Sequence, residues 1–275
     1  MAIRSSMKKR PLNEGSTALP SAVVVSGAGG GGIGSEIAAT ILSAGHEVFC
    51  LERTNVGKEY LVGRLGVAAS NIVVGDVSSE DCVDELARSF GARGQRLMAV
   101  VHNAARGSRY CGTESIDISD FRSDLDDIII GAALMAKHFT PFLKASAPSS
   151  IVLISSSAAV RGAWGRGHSY AAAKAGLHGL CKQLALDLAT YGITCNIVVP
   201  YQTLTPRVLR NGRRTADEIV ERAKMHVPLG RPAYPADIAA AVGFLIGAGA
   251  RYMTGQELVL DGGQSLAPRW TEPDK

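Results

Sequence analysis

The sequence has few of the features that mark metal-binding, secreted or nucleic-acid-binding proteins. Its five cysteines include no Cys-x-x-Cys pair, so they predict buried, reduced thiols in a cytoplasmic protein and no metal site. Four basic residues lie within the first ten positions and the remainder is nearly neutral, which argues against a nucleic-acid-binding face. That basic start lacks the apolar core of a secretory signal, and no stretch approaches a membrane span. We therefore expect a cytoplasmic protein that binds neither nucleic acid nor membranes.

What the chain does contain is a regular alternation of strand-like and helix-like segments. The alternation predicts an α/β fold, a Rossmann-type doubly wound parallel sheet of about seven strands with helices on both faces. One domain is expected over 21–267, between a disordered tail at 1–20 and a short tail at 268–275. The predicted strands are 21–26, 47–51, 71–74, 97–102, 150–155, 193–198 and 257–260, and the predicted helices are 33–44, 56–65, 79–90, 118–145, 168–190 and 235–247.

A glycine-rich loop follows the first predicted strand. It runs from Gly27 to Gly34 and opens onto an apolar, helix-like segment. Glycines allow a tight turn, let the backbone approach a pyrophosphate closely, and aim helix N-terminal N–H groups at it. A bare glycine run is more often a flexible linker, but the strand before this one and the amphipathic helix after it favour a dinucleotide-binding turn.

Tyr170 and Lys174 stand four residues apart in a predicted helix, on one face and one turn from each other. An ammonium beside a phenol favours the phenolate, and so lowers a pKa that is ordinarily about 10. A tyrosine tuned in this way can exchange a proton with an alcohol or carbonyl oxygen near neutral pH. A lone Tyr-x-x-x-Lys is usually two ordinary helix residues, so this interpretation depends on the motifs that accompany it.

The ordered set of motifs resembles the short-chain dehydrogenase/reductase family, in its compact single-domain branch, over nearly the whole chain. The residues that carry the resemblance are Ser26, Gly27, Gly32 and Gly34 in the glycine loop, Asp76, His102-Asn103-Ala104-Ala105, the strand and loop 151–157, Tyr170, Lys174 and Asn196. The resemblance implies hydride transfer between a nicotinamide cofactor and a secondary alcohol or ketone. It also implies that the stretch 200–230, which breaks the strand–helix alternation, is a mobile lid over the substrate.

The resemblance further implies a role for each site residue. Tyr170 would be the acid/base, Lys174 would lower its pKa and hold the nicotinamide ribose, and a serine would hydrogen-bond the substrate oxygen. Ser157 has the family's commonest spacing to the tyrosine, whereas Ser156 fits the strand phase better and is narrowly preferred. The expected cofactor-binding residues are Ser26, Gly27, Gly32, Ile33, Gly34, Glu52, Arg53, Asp76, Val77, Asn103, Ala104, Tyr170, Lys174, Pro200 and Thr203.

The chain departs from the family pattern in the glycine loop and at the position of the catalytic asparagine. The glycine loop is one residue longer than usual, so the segment 29–31 must bulge. Ile128 stands where the family has a catalytic asparagine, whose amide helps to hold a water that links the lysine to solvent. Asp124 or Asp127 would have to take over this relay, or proton exchange is slowed; aspartates on a helix are more often solvated surface charges.

The choice of cofactor depends on the end of the second predicted strand. Glu52 is placed to hydrogen-bond a ribose 2′-hydroxyl and to repel a 2′-phosphate, which favours NAD. Arg53 follows at the position where NADP-preferring relatives often carry a base, so NADP is the alternative. The glycine loop lacks the basic residue that often assists NADP binding.

The sequence says less about the substrate and the oligomeric state. Six basic side chains fall in segments that the fold places near the crevice mouth: Arg106, Arg109, Arg161, Arg166, His168 and Arg207. They suggest a substrate with a carboxylate or phosphate, although exposed solubilising charges explain them as well. An NADPH-dependent 3-oxoacyl-type reductase and a cofactor-binding protein with little catalysis are the alternative functions. The resemblance also implies a homotetramer or homodimer formed through the helices 118–145 and 168–190.

Overall fold

The structure, a computed structural model, describes residues 21–106, 111–161, 167–210 and 214–266. Both predicted tails, together with Arg109 and Arg166, lie outside the described residues. In the described part, parallel strands form one sheet in the order β3-β2-β1-β4-β5-β6-β7. The strands are β1 (Ala22–Ser26), β2 (Glu47–Glu52), β3 (Ile72–Val74), β4 (Leu97–His102), β5 (Ser149–Ile154), β6 (Ile193–Pro200) and β7 (Glu257–Leu260).

The strand order reverses between β1 and β4, which lie side by side in the sheet. In a doubly wound sheet the carboxyl ends of the strands at such a point border the ligand crevice. The central strands are apolar on both faces; β1, for example, is completely buried and rich in valine. These observations confirm the predicted fold class.

Helices cover both faces of the sheet and bury one apolar cluster on each side. One face carries α1 (Ile33–Ser43), α2 (Asn55–Leu65) and α9 (Pro235–Ile246), and the other carries α3 (Glu80–Gly91), α4 (Ile118–Leu125), α5 (Gly131–Ala145) and α6 (His168–Ala189). The two clusters make the sheet a rigid support for the loops that follow its strands.

The predicted helix 118–145 is interrupted by a π-helical turn, Asp126–Ile130, in which the Gly131 N–H bonds to the Asp126 carbonyl. Such turns are frequent at functional sites. The run Ile118–Ala145 has the length and hydropathy to cross a membrane, which corrects the expectation that no stretch approaches a span. This is weak evidence for a membrane, because its buried residues pack in the apolar core like those of any core helix.

The described residues of the predicted lid form two helices, α7 (Pro206–Arg210) and α8 (Ala216–His226). Helix α8 begins with a capping box in which the Thr215 hydroxyl accepts from the Glu218 N–H and the Glu218 carboxylate accepts from the Thr215 N–H. This Thr-x-x-Glu signal was readable in the sequence and predicts a helix start. No helix is predicted here from the sequence, because 200–230 breaks the regular alternation of strands and helices.

Candidate active site

The glycine loop is tied to the end of β4 by a small set of hydrogen bonds. The Ser26 hydroxyl accepts from the N–H groups of Asn103 and Ala104, each at 3.2 Å. The Asn103 amide donates to the Gly27 carbonyl at 2.8 Å. A Cβ on Gly34 would lie 2.3 Å from that same carbonyl, so only glycine allows this approach. The loop and the Asn103 motif therefore form one unit at the carboxyl edge of the sheet.

The extra residue of the loop is accommodated by Glu52 and helix α2. The Gly29 N–H donates to Glu52 Oε2 at 2.7 Å, and a Cβ on Gly29 would lie 2.4 Å from the Gly57 Cα. The Gly31 N–H donates to the Ser35 hydroxyl at 2.8 Å. Glu52 is thus committed in part to holding the lengthened loop, which the sequence did not indicate.

A cavity of about 580 Å³ lies against this loop. Ten of the predicted cofactor-binding residues line it: Gly27, Gly32, Ile33, Gly34, Glu52, Arg53, Asp76, Val77, Asn103 and Ala104. The loop presents backbone rather than side chains to the cavity, and the position of a Cβ on Gly30 meets nothing within 4 Å. The N–H groups at the start of α1 have no side-chain cap among the described contacts. These features suit the pyrophosphate of a dinucleotide.

The remaining predicted cofactor residues are placed differently. Ser26, Pro200, Thr203, Tyr170 and Lys174 are not in the cavity wall. The Thr203 hydroxyl donates to the Tyr201 carbonyl at 3.1 Å. Sequence reasoning did not assign Thr205, Arg210 or Asp127 to the cavity, although all three line it, and it assigned Arg106 and Arg207 only to the crevice mouth.

Four charged side chains form a cluster in the cavity wall, here called the arginine–aspartate cluster: Arg53, Asp76, Arg106 and Asp127. Arg106 Nε donates to Asp127 Oδ2 at 2.9 Å, and Arg106 Nη2 donates to Asp76 Oδ2 at 2.6 Å. Arg53 Nη1 lies 3.5 Å from Asp127 Oδ2. Only 5% of the Asp127 side chain is exposed, so its interpretation as a solvated surface charge was wrong.

Tyr170 and Lys174 lie one turn apart on helix α6. Lys174 is buried, and its Nζ donates to the carbonyl of Ile154, the last residue of β5, at 2.6 Å. The same Nζ lies 5.7 Å from the centroid of the Tyr170 ring. Burial, and to a smaller degree the charge of Arg207, lower the pKa of Lys174 to about 7, and the charge of Asp124 opposes both effects. An ammonium that close to deprotonation near neutral pH can take part in proton transfer.

The serines that follow β5 have separate partners. Ser155 Oγ lies 3.3 Å from the Lys174 carbonyl and 2.9 Å from His178 Nε2, so it ties the strand end to α6. The Ser156 hydroxyl accepts from the Ala158 N–H at 3.3 Å, while Ser157 begins a short 3₁₀ turn, Ser157–Ala159. These contacts leave the choice between Ser156 and Ser157 open.

The residue at the position of the family's catalytic asparagine, Ile128, packs into the apolar core. Ile128 is completely buried within the apolar cluster and lies in the π-helical turn. One turn earlier, Asp124 is only 2% exposed, and its Oδ2 accepts a 2.6 Å hydrogen bond from the Ser169 hydroxyl. Its interpretation as a surface charge was also wrong, because α4 packs against α6 at this point.

His102 occupies the first position of the Asn-Asn-Ala-Gly-like motif and is completely buried. Its Nδ1 lies 3.1 Å from Ser26 Oγ, and burial lowers its pKa to about 3, so the ring is neutral at physiological pH. Its Nε2 has no hydrogen-bond partner among the described residues. Among all the residues that the structure describes, no group of three or more His, Cys, Asp or Glu side chains could hold a metal ion. The five cysteines form no disulfide there.

Comparison with known proteins agrees with this geometry. Residues 27–265 match the family model described as enoyl-(acyl carrier protein) reductase. The chain is 36% identical over 241 residues to an uncharacterized short-chain type dehydrogenase/reductase of Sinorhizobium fredii, covering 88% of this chain and 43% of the relative. It is 30% identical over 248 residues to L-fucose dehydrogenase of Rattus norvegicus, covering 89% of each.

This chain is a short-chain dehydrogenase/reductase. It is also 33% identical over 190 residues to cis-4-hydroxycyclohexanecarboxylate dehydrogenase of Sinomonas cyclohexanicum, covering 68% of this chain and 74% of the relative. Among solved structures, ligand-free aldohexose dehydrogenase of Thermoplasma acidophilum superposes with a TM-score of 0.80 at 28% identity, over 93% of this chain and 98% of that one. The short-chain dehydrogenase/reductase described here is therefore an oxidoreductase that acts on alcohols or ketones with a nicotinamide cofactor. The chain spans less than half of the Sinorhizobium relative.

Proposed function

We propose that this short-chain dehydrogenase/reductase transfers a hydride between NAD and a secondary alcohol or ketone, with Tyr170 as acid/base. The observation that carries the proposal is the position of the buried Lys174, whose Nζ lies 5.7 Å from the centroid of the Tyr170 ring, one turn away on α6. The bound cofactor would supply or accept the hydride. The protein's residues would bind and orient both reactants and move the proton.

The proposed roles follow from position. Tyr170 would give a proton to the substrate oxygen during reduction and take one during oxidation. Lys174 would stabilise the phenolate and hold the ribose next to the nicotinamide. A hydroxyl from Ser156 or Ser157, at the carboxyl end of β5, would donate to the developing negative charge on the substrate oxygen.

The preference for NAD rests on Glu52, which lines the cavity at the end of β2. A carboxylate there can accept from ribose hydroxyls and repels a 2′-phosphate. Glu52 also accepts from Gly29 and from the Arg53 N–H, at 2.7 and 3.1 Å, and these bonds hold it at the loop. NADP remains the alternative cofactor, and with it the alternative of an NADPH-dependent 3-oxoacyl-type reductase.

Proton exchange with solvent would use Asp124 in place of the missing asparagine. Asp124 is hydrogen-bonded to Ser169, the neighbour of Tyr170, and its charge raises the pKa of Lys174. Asp127, the other candidate from the sequence, is engaged by two arginines in the cavity wall. Asp124 would therefore act as a positioning residue for the lysine, and the full four-residue mechanism of the family would not apply unchanged.

An anionic substrate is the class that the arginines favour. Arg207 donates to the Ala105 carbonyl at 2.9 Å and lines the cavity close enough to Lys174 to lower its pKa. The Sinomonas relative is named for a hydroxy acid. Arg161 is directed elsewhere, since it donates to the Ser265 carbonyl. We propose a small alcohol or ketone that carries a carboxylate or phosphate.

We also propose a cytoplasmic homo-oligomer, a homotetramer or homodimer. The two helices predicted from the sequence to form the subunit interface expose three large apolar side chains among the described residues, Ile118, Ile130 and Leu186. Scattered apolar residues are normal on a protein surface, so the measurement that decides is molar mass in solution.

The experiment that tests the dehydrogenase proposal begins with fluorescence titration of NADH and NADPH. A panel of secondary alcohols and ketones, with and without carboxylates, follows. Tyr170→Phe should abolish turnover of any substrate found while leaving NADH binding within a few-fold, and Tyr252→Phe, at a fully exposed tyrosine, is the matched control. Unchanged turnover in Tyr170→Phe would contradict the acid/base role. Binding without turnover across the panel would favour a non-catalytic cofactor-binding protein.

A further inference from the structure

The arginine–aspartate cluster has an arrangement that the dehydrogenase reaction does not require. Asp127 lies at its centre, with Arg106 bound at 2.9 Å and Arg53 at 3.5 Å to the same carboxylate oxygen. The π-helical turn carries both Asp126, which is exposed, and Asp127, which is buried in the cavity wall. The buried carboxylate of Asp127 thus binds two cationic side chains, one that follows β2 and one that follows β4.

The electrostatics of the cluster are balanced. Burial raises the pKa of Asp127, and the neighbouring guanidinium groups oppose that rise. Hydrogen bonding to Asp127 in turn raises the pKa of Arg106, so this cation is fixed. With Asp76 accepting from the same arginine, two positive and two negative charges offset one another. A buried carboxylate with such partners is stable only while they stay bound to it.

The cluster adjoins Glu52 in the wall of the same cavity. On the proposed function, Glu52 and Asp76 belong to the part of the cavity that takes the adenosine of the cofactor. Guanidinium groups are the side chains best suited to bind a phosphate, because they donate two parallel hydrogen bonds. Two arginines beside the adenosine site are therefore what a 2′-phosphate would need, but both are paired with Asp127.

We propose that Asp127 is a cofactor-specificity residue: by engaging Arg53 and Arg106 it keeps them from a 2′-phosphate and so supports the preference for NAD. This inference rests on the proposed NAD-dependent function. It adds a second determinant to Glu52, located on a different element and acting through the arginines rather than on the ribose. The ligand class that it discriminates against is a nucleotide carrying a phosphate on its 2′-hydroxyl.

The test uses Asp127→Asn, which keeps the side-chain shape and removes the charge. Dissociation constants for NADH and NADPH are measured separately by fluorescence, without any substrate. The expected result is a gain in NADPH affinity relative to NADH of roughly tenfold, because charge-assisted hydrogen bonds to the phosphate become available. The gain should shrink as salt is raised. Asp126→Asn makes the same chemical change at the exposed neighbour, whose charge acts on Arg106 less than that of Asp127 does, and should change the affinity ratio far less.

A second variant keeps the inference testable if Asp127→Asn does not fold. Arg106→Gln removes a cation and leaves the cluster with excess negative charge, so NADPH should weaken relative to NADH. The two variants therefore move the ratio in opposite directions. In the Asp127→Asn background, Arg53→Gln should remove part of the gain.

The possible failures are distinguishable. If the wild-type protein binds neither nucleotide, the proposed function itself fails. If it binds NADPH more tightly than NADH, or if every folded cluster variant leaves the ratio unchanged, the dehydrogenase stands and the role of Asp127 is wrong. Equal losses for both nucleotides in Arg106→Gln would likewise overturn the inference, since they would mean that the arginine only supports the adenosine.

Discussion

Lys174 provides the sharpest quantitative prediction, because it is a buried lysine whose pKa falls from 10.5 to about 7 on folding. Below pH 7 the side chain is charged in both the folded and the unfolded chain. Between pH 7 and 10.5 the unfolded chain binds the proton and the folded chain has lost it. The free energy of unfolding therefore rises with pH across this window. At about 1.4 kcal/mol per pH unit, the full difference is roughly 5 kcal/mol, and about 2 kcal/mol of it should emerge between pH 7 and 9.

The perturbation is Lys174→Met, which keeps the length and apolar volume of the side chain and removes the titration. Urea unfolding of the cofactor-free protein is followed for the wild type and the variant from about pH 6 to about pH 10. The quantity of interest is the wild-type free energy of unfolding minus that of the variant at each pH. Buried Cys50, whose raised pKa makes stability fall at high pH, is present in both proteins and cancels in this difference.

The matched control is Lys182→Met on the same helix, at a side chain that is 64% exposed and 3.8 Å from Glu257. Its difference curve should be flat within a few tenths of a kcal/mol, since exposed pairs contribute little. A flat curve for Lys174→Met as well would mean that the lysine keeps its ordinary pKa in the folded protein. The argument that burial brings the titration of this lysine close to neutral pH would then be refuted.

Two further predictions concern Asp124 and helix α2. Asp124→Asn should lower the pKa of Lys174 further, because the Asp124 charge raises it. When the effect of Lys174→Met is measured in the Asp124→Asn background, the stability difference should therefore begin to rise at a lower pH, whereas the Asp126→Asn background should not change where it begins. Gly57→Ala should destabilise the protein by at least about 1 kcal/mol and weaken NADH binding, since the new Cβ would lie 2.5 Å from the Glu52 side chain. Gly63→Ala, on the same helix with nothing within 4 Å, should stabilise it by about 0.5–1 kcal/mol, and an equal effect of the two changes in thermal unfolding would contradict this reasoning.

Prediction from the sequence succeeded where the signal is local. The bounds of the predicted strands differ from the observed ones by two residues or fewer, because buried parallel strands are short β-branched runs between turn residues. Ten of the residues predicted to bind the cofactor line one cavity, because they lie at or just after the carboxyl ends of strands at the same edge of the sheet. The sequence did not predict the π-helical turn or the two helices α7 and α8, because hydrophobic periodicity is interrupted or weak there.

By itself, the sequence determined the doubly wound fold, the glycine loop and the placing of Tyr170 one turn from Lys174, since these depend on residues near one another in the chain. Tertiary structure alone decided that Asp124 and Asp127 are buried, although both look like surface charges on a helix. It also decided that Glu52 holds the lengthened loop. These contacts join residues 21 to 45 positions apart, and their energies depend on burial and charge, which exist only once helices and strands have packed.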